Sequence, residues 1–208
     1  MLRGGKHMQF ETIKKNLEEK GYTVSCFATA KEATEYLAGA IRGKSVGIGG
    51  SVTLQEMGVY DRLAEHNTVY WHWRMPEDKT LSEMYRAASC ADVYLSSVNG
   101  IAESGEIVNI DGTCNRVSSI VYGHEKVYLV VGINKIAADL DGALYRARNI
   151  AAPKNAQRLS RKTPCAANAD RCYNCKSPER ICRNLSVLWE KPSSGVFEVV
   201  LIDETLGY

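Results

Sequence analysis

No stretch of this 208-residue chain approaches the ~18 consecutive apolar residues that a membrane-spanning helix needs. The first residues, Met1–His7, are basic and contain glycine but carry no apolar core, so they do not read as a secretory signal. An excess of one charge is also missing. The 26 Lys and Arg against 24 Asp and Glu leave +2, too little to argue for nucleic acid or an anionic membrane as partner. There is no internal repeat and no low-complexity tract. The seven cysteines are an odd count, which argues against a complete disulfide framework. Without an export signal, a cytoplasmic, reducing location is the expectation.

The composition that remains is that of a globular protein, 45% hydrophobic and 24% charged, with enough chain to bury a full core. Residues 1–8 read as a leader outside the fold, with Met8 an alternative start. Residues 9–208 read as a single α/β domain that contains a Cys-rich segment at 163–184.

Along the chain, helical and strand periodicities alternate. Phe10, Ile13 and Leu17 share a helix face, which Gly21 ends; Thr23–Ala28 is strand-like. Thr29-Ala-Lys-Glu32, Thr53-Leu-Gln-Glu56 and Thr80-Leu-Ser-Glu83 each match the capping box that opens a helix. Ser45–Ile48, Asn67–Trp73 and Asp92–Ser96 read as strands. So does Val127–Ile133, whose unbroken apolar run suits burial on both faces. A helix from about Ala137 to Ala151 turns Leu140, Leu144 and Ala147 inward, and Pro153 ends or interrupts it. Ser186–Glu190 and Val196–Ile202 close the chain as an expected hairpin around Pro192-Ser-Ser-Gly195. The pattern predicts an α/β fold with a mostly parallel sheet flanked by helices, and a Cys-rich insertion before a C-terminal β-hairpin.

Two segments hold the chemistry-bearing residues outside the cysteines. Gly47-Ile-Gly49-Gly50-Ser51 joins a strand to a helix, where glycines admit a ligand close to the backbone and the helix start favours an anion. The same residues also suit a tight turn with no ligand. The spacing is not that of a dinucleotide fingerprint, and the P-loop lysine is missing, so no NAD or nucleotide motif is present. The second segment runs from Asn99-Gly100 to Arg116. Glu103 follows a strand and a turn, where a carboxylate can act as base or nucleophile; Arg116 can pair with a carboxylate. Glu106 and Asp111 read as solvated turn residues and His124 as a surface residue. Lys135 follows the buried strand at the sheet edge where ligands bind in open α/β folds. Trp71 and Trp73 fall on one strand face, best explained as packing, with His72 on the other.

Four cysteines follow the spacing Cys165-x6-Cys172-x2-Cys175-x6-Cys182. It suits a four-thiolate site for Zn²⁺ or a [4Fe–4S] cluster, although it is neither the zinc-ribbon nor the ferredoxin pattern. Either occupant would carry a net −2, which the surplus of basic residues around the segment balances. Free thiols or a CxxC redox pair are the other readings. Cys26 and Cys90 read as small core residues, and Cys114 as an exposed one.

The segments GIGGSVTLQEMG, SSVNGIAESGEIVNIDG, NRVSSIVYGHEKVYLVVGINKI and RARNIAAPKNAQRL, in that order, resemble the lactate-utilization (LUD) domain family. The tail TPCAANADRCYNCKSPERICR resembles that of its short, cysteine-containing branch. The resemblance implies a NagB/RpiA/CoA-transferase-like fold with its ligand crevice at the glycine loop. It implies a role in oxidising L-lactate to pyruvate alongside iron–sulfur partner subunits, with a small anionic metabolite as ligand. It also tilts the four-cysteine site towards iron–sulfur. It supplies no catalytic set; Glu103 is carried only as a position beside the crevice. Two alternatives stand: an independent enzyme of the same fold, such as a sugar-phosphate isomerase or an acyl- or CoA-transfer enzyme, and a metal-stapled binding protein without catalysis. Oligomerisation stays open.

Overall fold

The computed structural model describes residues 10–208, so the expected leader at 1–8 lies outside the described residues. The chain begins α1 (Glu11–Glu19), β1 (Thr23–Phe27), α2 (Ala30–Ala40), β2 (Ser45–Ile48), α3 (Val52–Glu56), α4 (Val59–Ala64), β3 (Thr68–Trp71), α5 (Leu81–Ser89) and β4 (Val93–Ser97). It continues β5 (Gly100–Ala102), β6 (Ile107–Asp111), α6 (Asn115–Val121), β7 (Lys126–Gly132) and β8 (Ile136–Ala137). The last elements are α7 (Leu140–Arg146), α8 (Ala152–Arg158), α9 (Pro164–Asn168), β9 (Asn184–Leu188) and β10 (Val196–Ile202).

Six strands form a wholly parallel sheet in the order β1-β10-β7-β4-β2-β3. Its two faces carry separate cores because strand side chains alternate. Val127, Leu129 and Val131 of β7 pack with α1 on one face, while Tyr128 and Val130 pack with α2 and α4 on the other. A fully buried Leu, Ile or Val contributes roughly 1.5–3 kcal/mol, so these two layers carry the fold. A second sheet, β8-β5-β6-β9, mixes parallel and antiparallel pairs and packs Ala102 and Val108 against Ala143 and Ala147.

Two of the three expected capping boxes form, at Thr29 and Thr80. The third does not. Ser51 caps α3 by accepting from the Leu54 N–H, and the Thr53 hydroxyl instead donates to the Leu206 carbonyl. The closing hairpin is also corrected. β9 pairs with β6 in the small sheet, whereas β10 runs parallel between β1 and β7. The physical reason is burial: β10 is apolar at nearly every position and belongs in the sheet centre, while β9 is only half-covered and suits an edge. Pro153 interrupts its helix rather than ending it: the chain passes through a π-helical turn, Ala147–Ala151, just before the proline and continues as α8.

The helix α6 has no forecast in the sequence, because Asn-Arg-Val-Ser-Ser-Ile-Val contains few helix formers. The Asp111 carboxylate holds its start, accepting from the N–H groups of Thr113, Cys114 and Val117. Asp111 is therefore buried rather than a solvated turn residue. Glu106 is buried too, paired with Lys20 at 3.1 Å and accepting from Ser104. His124 is likewise buried, stacked on Tyr94, with Nδ1 2.6 Å from the Ala91 carbonyl. Cys90 is exposed at the end of α5, not in the core; Cys26 is half-buried against it, and Cys114 is exposed as expected.

Candidate functional site

The carboxyl ends of the parallel strands converge on one crevice of about 370 Å³. Ser51 follows β2, His72 and Trp73 follow β3, Lys135 follows β7 and Tyr208 follows β10, while Ser97 ends β4. This is the edge where ligands bind in open α/β sheets. Asn99, Asp111 and Arg116 close the crevice from the small-sheet side, and Asn155 and Arg158 of α8 close its rim.

Lys135 is the central group, with 3% of its surface exposed. Its Nζ donates to Thr53 Oγ1 at 2.7 Å and Ser97 Oγ at 2.8 Å. Both hydroxyls give their own protons to carbonyls, Thr53 to Leu206 and Ser97 to Val130. They can therefore only accept from the amine. Burial, with added repulsion from Arg146 and Arg116, lowers the Lys135 pKa to about 7. Near neutral pH the amine thus presents to the crevice either a third N–H, when charged, or a lone pair, when neutral.

Arg116 is spent on architecture. Its guanidinium donates to the carbonyls of Ser97 (3.1 Å) and Ile110 (2.8 Å) and to the side-chain oxygens of Asn109 (2.6 Å) and Asn99 (3.1 Å). The nearest carboxylate oxygen, on Asp111, lies 3.9 Å away and is itself committed to α6. Arg146 likewise donates only to carbonyls, those of Asn134 and Asn99. Asp111 offsets part of the Arg116 charge, but Lys135, Arg158 and Arg161 line the crevice as well, so cationic groups outnumber that carboxylate and the crevice is net positive.

The structure brings together Gly50, Ser51, Asn99, Arg116 and Lys135 of the residues singled out from the sequence. Gly47 and Gly49 stand behind the loop. A Cβ at Gly47 would meet the Ala88 carbonyl at 2.3 Å, and one at Gly49 would meet the Tyr94 hydroxyl at 2.9 Å. Gly100 serves the same close approach, against the Ala143 carbonyl. Glu103 stands apart: it is exposed in the β5–β6 turn, where its backbone bonds Asn16 and Ala137. The residues sequence reasoning missed are Thr53, Ser97, Arg146, Arg158 and Tyr208. His72 and Trp73 also line the crevice; Trp73 packs against the core and stacks on Trp71, as expected of that pair, and the Trp71 indole N–H donates to the Gly49 carbonyl. Burial and the nearby Arg158 hold the His72 pKa below its ordinary value.

Cys165, Cys172, Cys175 and Cys182 line a second, small cavity beside the crevice. All seven cysteines are free thiols. Arg148 donates to Cys172 Sγ at 3.5 Å, the Asn174 N–H to the same sulfur at 3.3 Å, and Arg180 to Cys182 Sγ at 3.4 Å. Burial opposes ionisation of Cys172, but these donors hold its pKa below the usual thiol value. Among the described residues, no three His, Cys, Asp or Glu side chains are grouped to hold a single metal ion. Nor, among them, is any helix long and apolar enough to cross a membrane.

The sequence matches the LUD domain family over residues 10–202. Among solved structures it is similar to a DUF162 family protein from Deinococcus radiodurans, at 11% identity and a TM-score of 0.53. That match covers 95% of this chain and 98% of the other, and it shows the shared fold. No curated protein matches the chain. The family carries a role related to lactate utilization in general terms. With nearly the whole described length matched, the chain belongs to the LUD-domain family.

Proposed function

We propose that the chain serves L-lactate utilization by binding a small hydroxy- or keto-carboxylate in the crevice at Lys135. The observation that carries this reading is the buried Lys135 amine, held by two hydroxyl acceptors in a crevice where cations outnumber the Asp111 carboxylate. The charged amine donates to the carboxylate. Oxidation of the bound hydroxy acid to the keto acid releases two electrons and two protons; iron–sulfur partner subunits would receive the electrons and solvent the protons. Ser51 and Asn99, which line the crevice, would orient the ligand. An acyl-transfer reading built on Glu103 has less support, because Glu103 lies outside the crevice.

The crevice is roomier than a three-carbon acid needs. Calorimetry with L-lactate and pyruvate should therefore run beside a sugar phosphate and a CoA thioester. L-Lactate or pyruvate should bind, and affinity should fall by up to about tenfold per pH unit above about pH 7, as Lys135 loses its charge. Lys135→Met should abolish that pH dependence and most of the binding. Tight binding of only the phosphate or the thioester, or binding indifferent to Lys135→Met, sinks the reading.

A further inference from the structure

We propose that Cys165, Cys172, Cys175 and Cys182 ligate a [4Fe–4S] cluster, not a single zinc ion, in a cavity that shares a wall with the crevice. Nothing in this depends on what the crevice binds.

The geometry separates the two occupants. Four thiolates hold zinc at about 2.3 Å from one point, which leaves no room between the sulfurs for a water-sized sphere. Here the four thiols are instead spread around one small cavity. No three of the side chains are grouped for one ion, although all four face the same space. A cubane cluster needs this spread arrangement, because each thiolate binds a different iron at its own corner.

The surrounding groups fit the cluster's chemistry. Four thiolates around a [4Fe–4S]²⁺ core leave a net charge of −2, and two guanidiniums already donate to these sulfurs, Arg148 to Cys172 and Arg180 to Cys182. Arg180 Nε is buried without a hydrogen-bond partner, a donor of the kind that a sulfide or thiolate accepts. Asn174, inside the CxxC, adopts the left-handed conformation at φ 48°, and Ala169 does so at φ 52°. Asn adopts this conformation readily, whereas at Ala169, the C-cap of α9, it is held by the surrounding structure. Asn149 Oδ1 accepts from the Cys172 N–H at 3.1 Å and anchors the loop to the π-helical turn. Ala152 and Ile181 line both cavities, so the cluster would stand one layer of side chains behind the crevice.

The test is metal and sulfide analysis of the full chain, prepared anaerobically and reconstituted with ferrous iron and sulfide. The expected result is iron and acid-labile sulfide in equal amounts, about four of each per chain, with broad visible absorbance that bleaches on reduction. Stoichiometric zinc without sulfide, or a chain that retains neither, overturns the proposal. Cys172→Ser with Cys175→Ser should lose the chromophore, whereas Cys90→Ser should keep it; iron and sulfide retained by the double variant also overturn it. Arg148→Ala and Arg180→Ala guard against a double variant that fails to fold. Each should keep the cluster but move its reduction potential to more negative values, because each removes a cationic donor to a ligand sulfur. Potentials unchanged in both would overturn the assignment of these donors to the cluster.

Discussion

The crevice and the cysteine cavity lie side by side but are assembled in opposite ways. Contacts across the whole fold make the crevice: Lys135 meets Thr53 across 82 residues, and Arg146 meets Asn99 across 47. The cysteine cavity is mostly local. Its four thiols fall within 165–182, and Arg180 reaches a sulfur two residues away. A distributed site uses its charges as part of the scaffold, so its function and its stability are entangled. A local site can change its chemistry with less damage to the rest.

The largest effect that would test this contrast is the pH dependence of stability. Above about pH 7 the folded chain holds Lys135 neutral, while the unfolded chain keeps it charged up to about 10.5. The unfolded state then binds more protons, so stability rises with pH through that window and is flat below it. Relative to Lys135→Met, the wild-type chain should gain up to about 1.4 kcal/mol per pH unit between about pH 7 and 10 in urea denaturation. A parallel course for the two chains would mean that Lys135 is charged when folded.

Next comes Arg116→Ala. It strands the Ile110 carbonyl and the Asn109 side chain and takes a second donor from the Ser97 carbonyl and Asn99 Oδ1, and should lower stability by about 3 kcal/mol, seen as a drop in urea midpoint at unchanged m value. Arg116→Lys should not restore it, since one ammonium cannot reproduce the planar fork. The smallest effect belongs to the cysteine side. Asn149→Ala, which removes the acceptor for the Cys172 N–H, should cost only about 1 kcal/mol in metal-free protein. A cost equal to that of Arg116→Ala would erase the distinction between the two regions.

The same contrast explains what the sequence made legible. The cysteine spacing is visible as a string because its geometry is set by nearby residues. The glycine loop and Lys135 are visible because each follows a recognisable strand. Thr53, Ser97 and Tyr208 are silent, since nothing local says that β10 slots between β1 and β7 and carries the last residues over the crevice. Sequence proximity favoured a hairpin there, and burial decided otherwise. Glu103 misled for a related reason: a strand followed by a turn does not reveal on which side of the small sheet the turn emerges.

The π-helical turn at Ala147–Ala151 fixes the rotational phase between two halves of one helix. Residues on a helix advance by roughly 100° each, and a π turn holds more than the usual 3.6 residues. Beyond it, Asn155 and Arg158 point to the crevice while Pro153 and Ala156 point to the cysteine cavity. A regular turn would rotate α8 by about one residue's advance, roughly 100°, and turn Asn155 and Arg158 away from the crevice. The extra residue therefore acts as a phase setting, and the two neighbouring cavities stay in step only while it is kept.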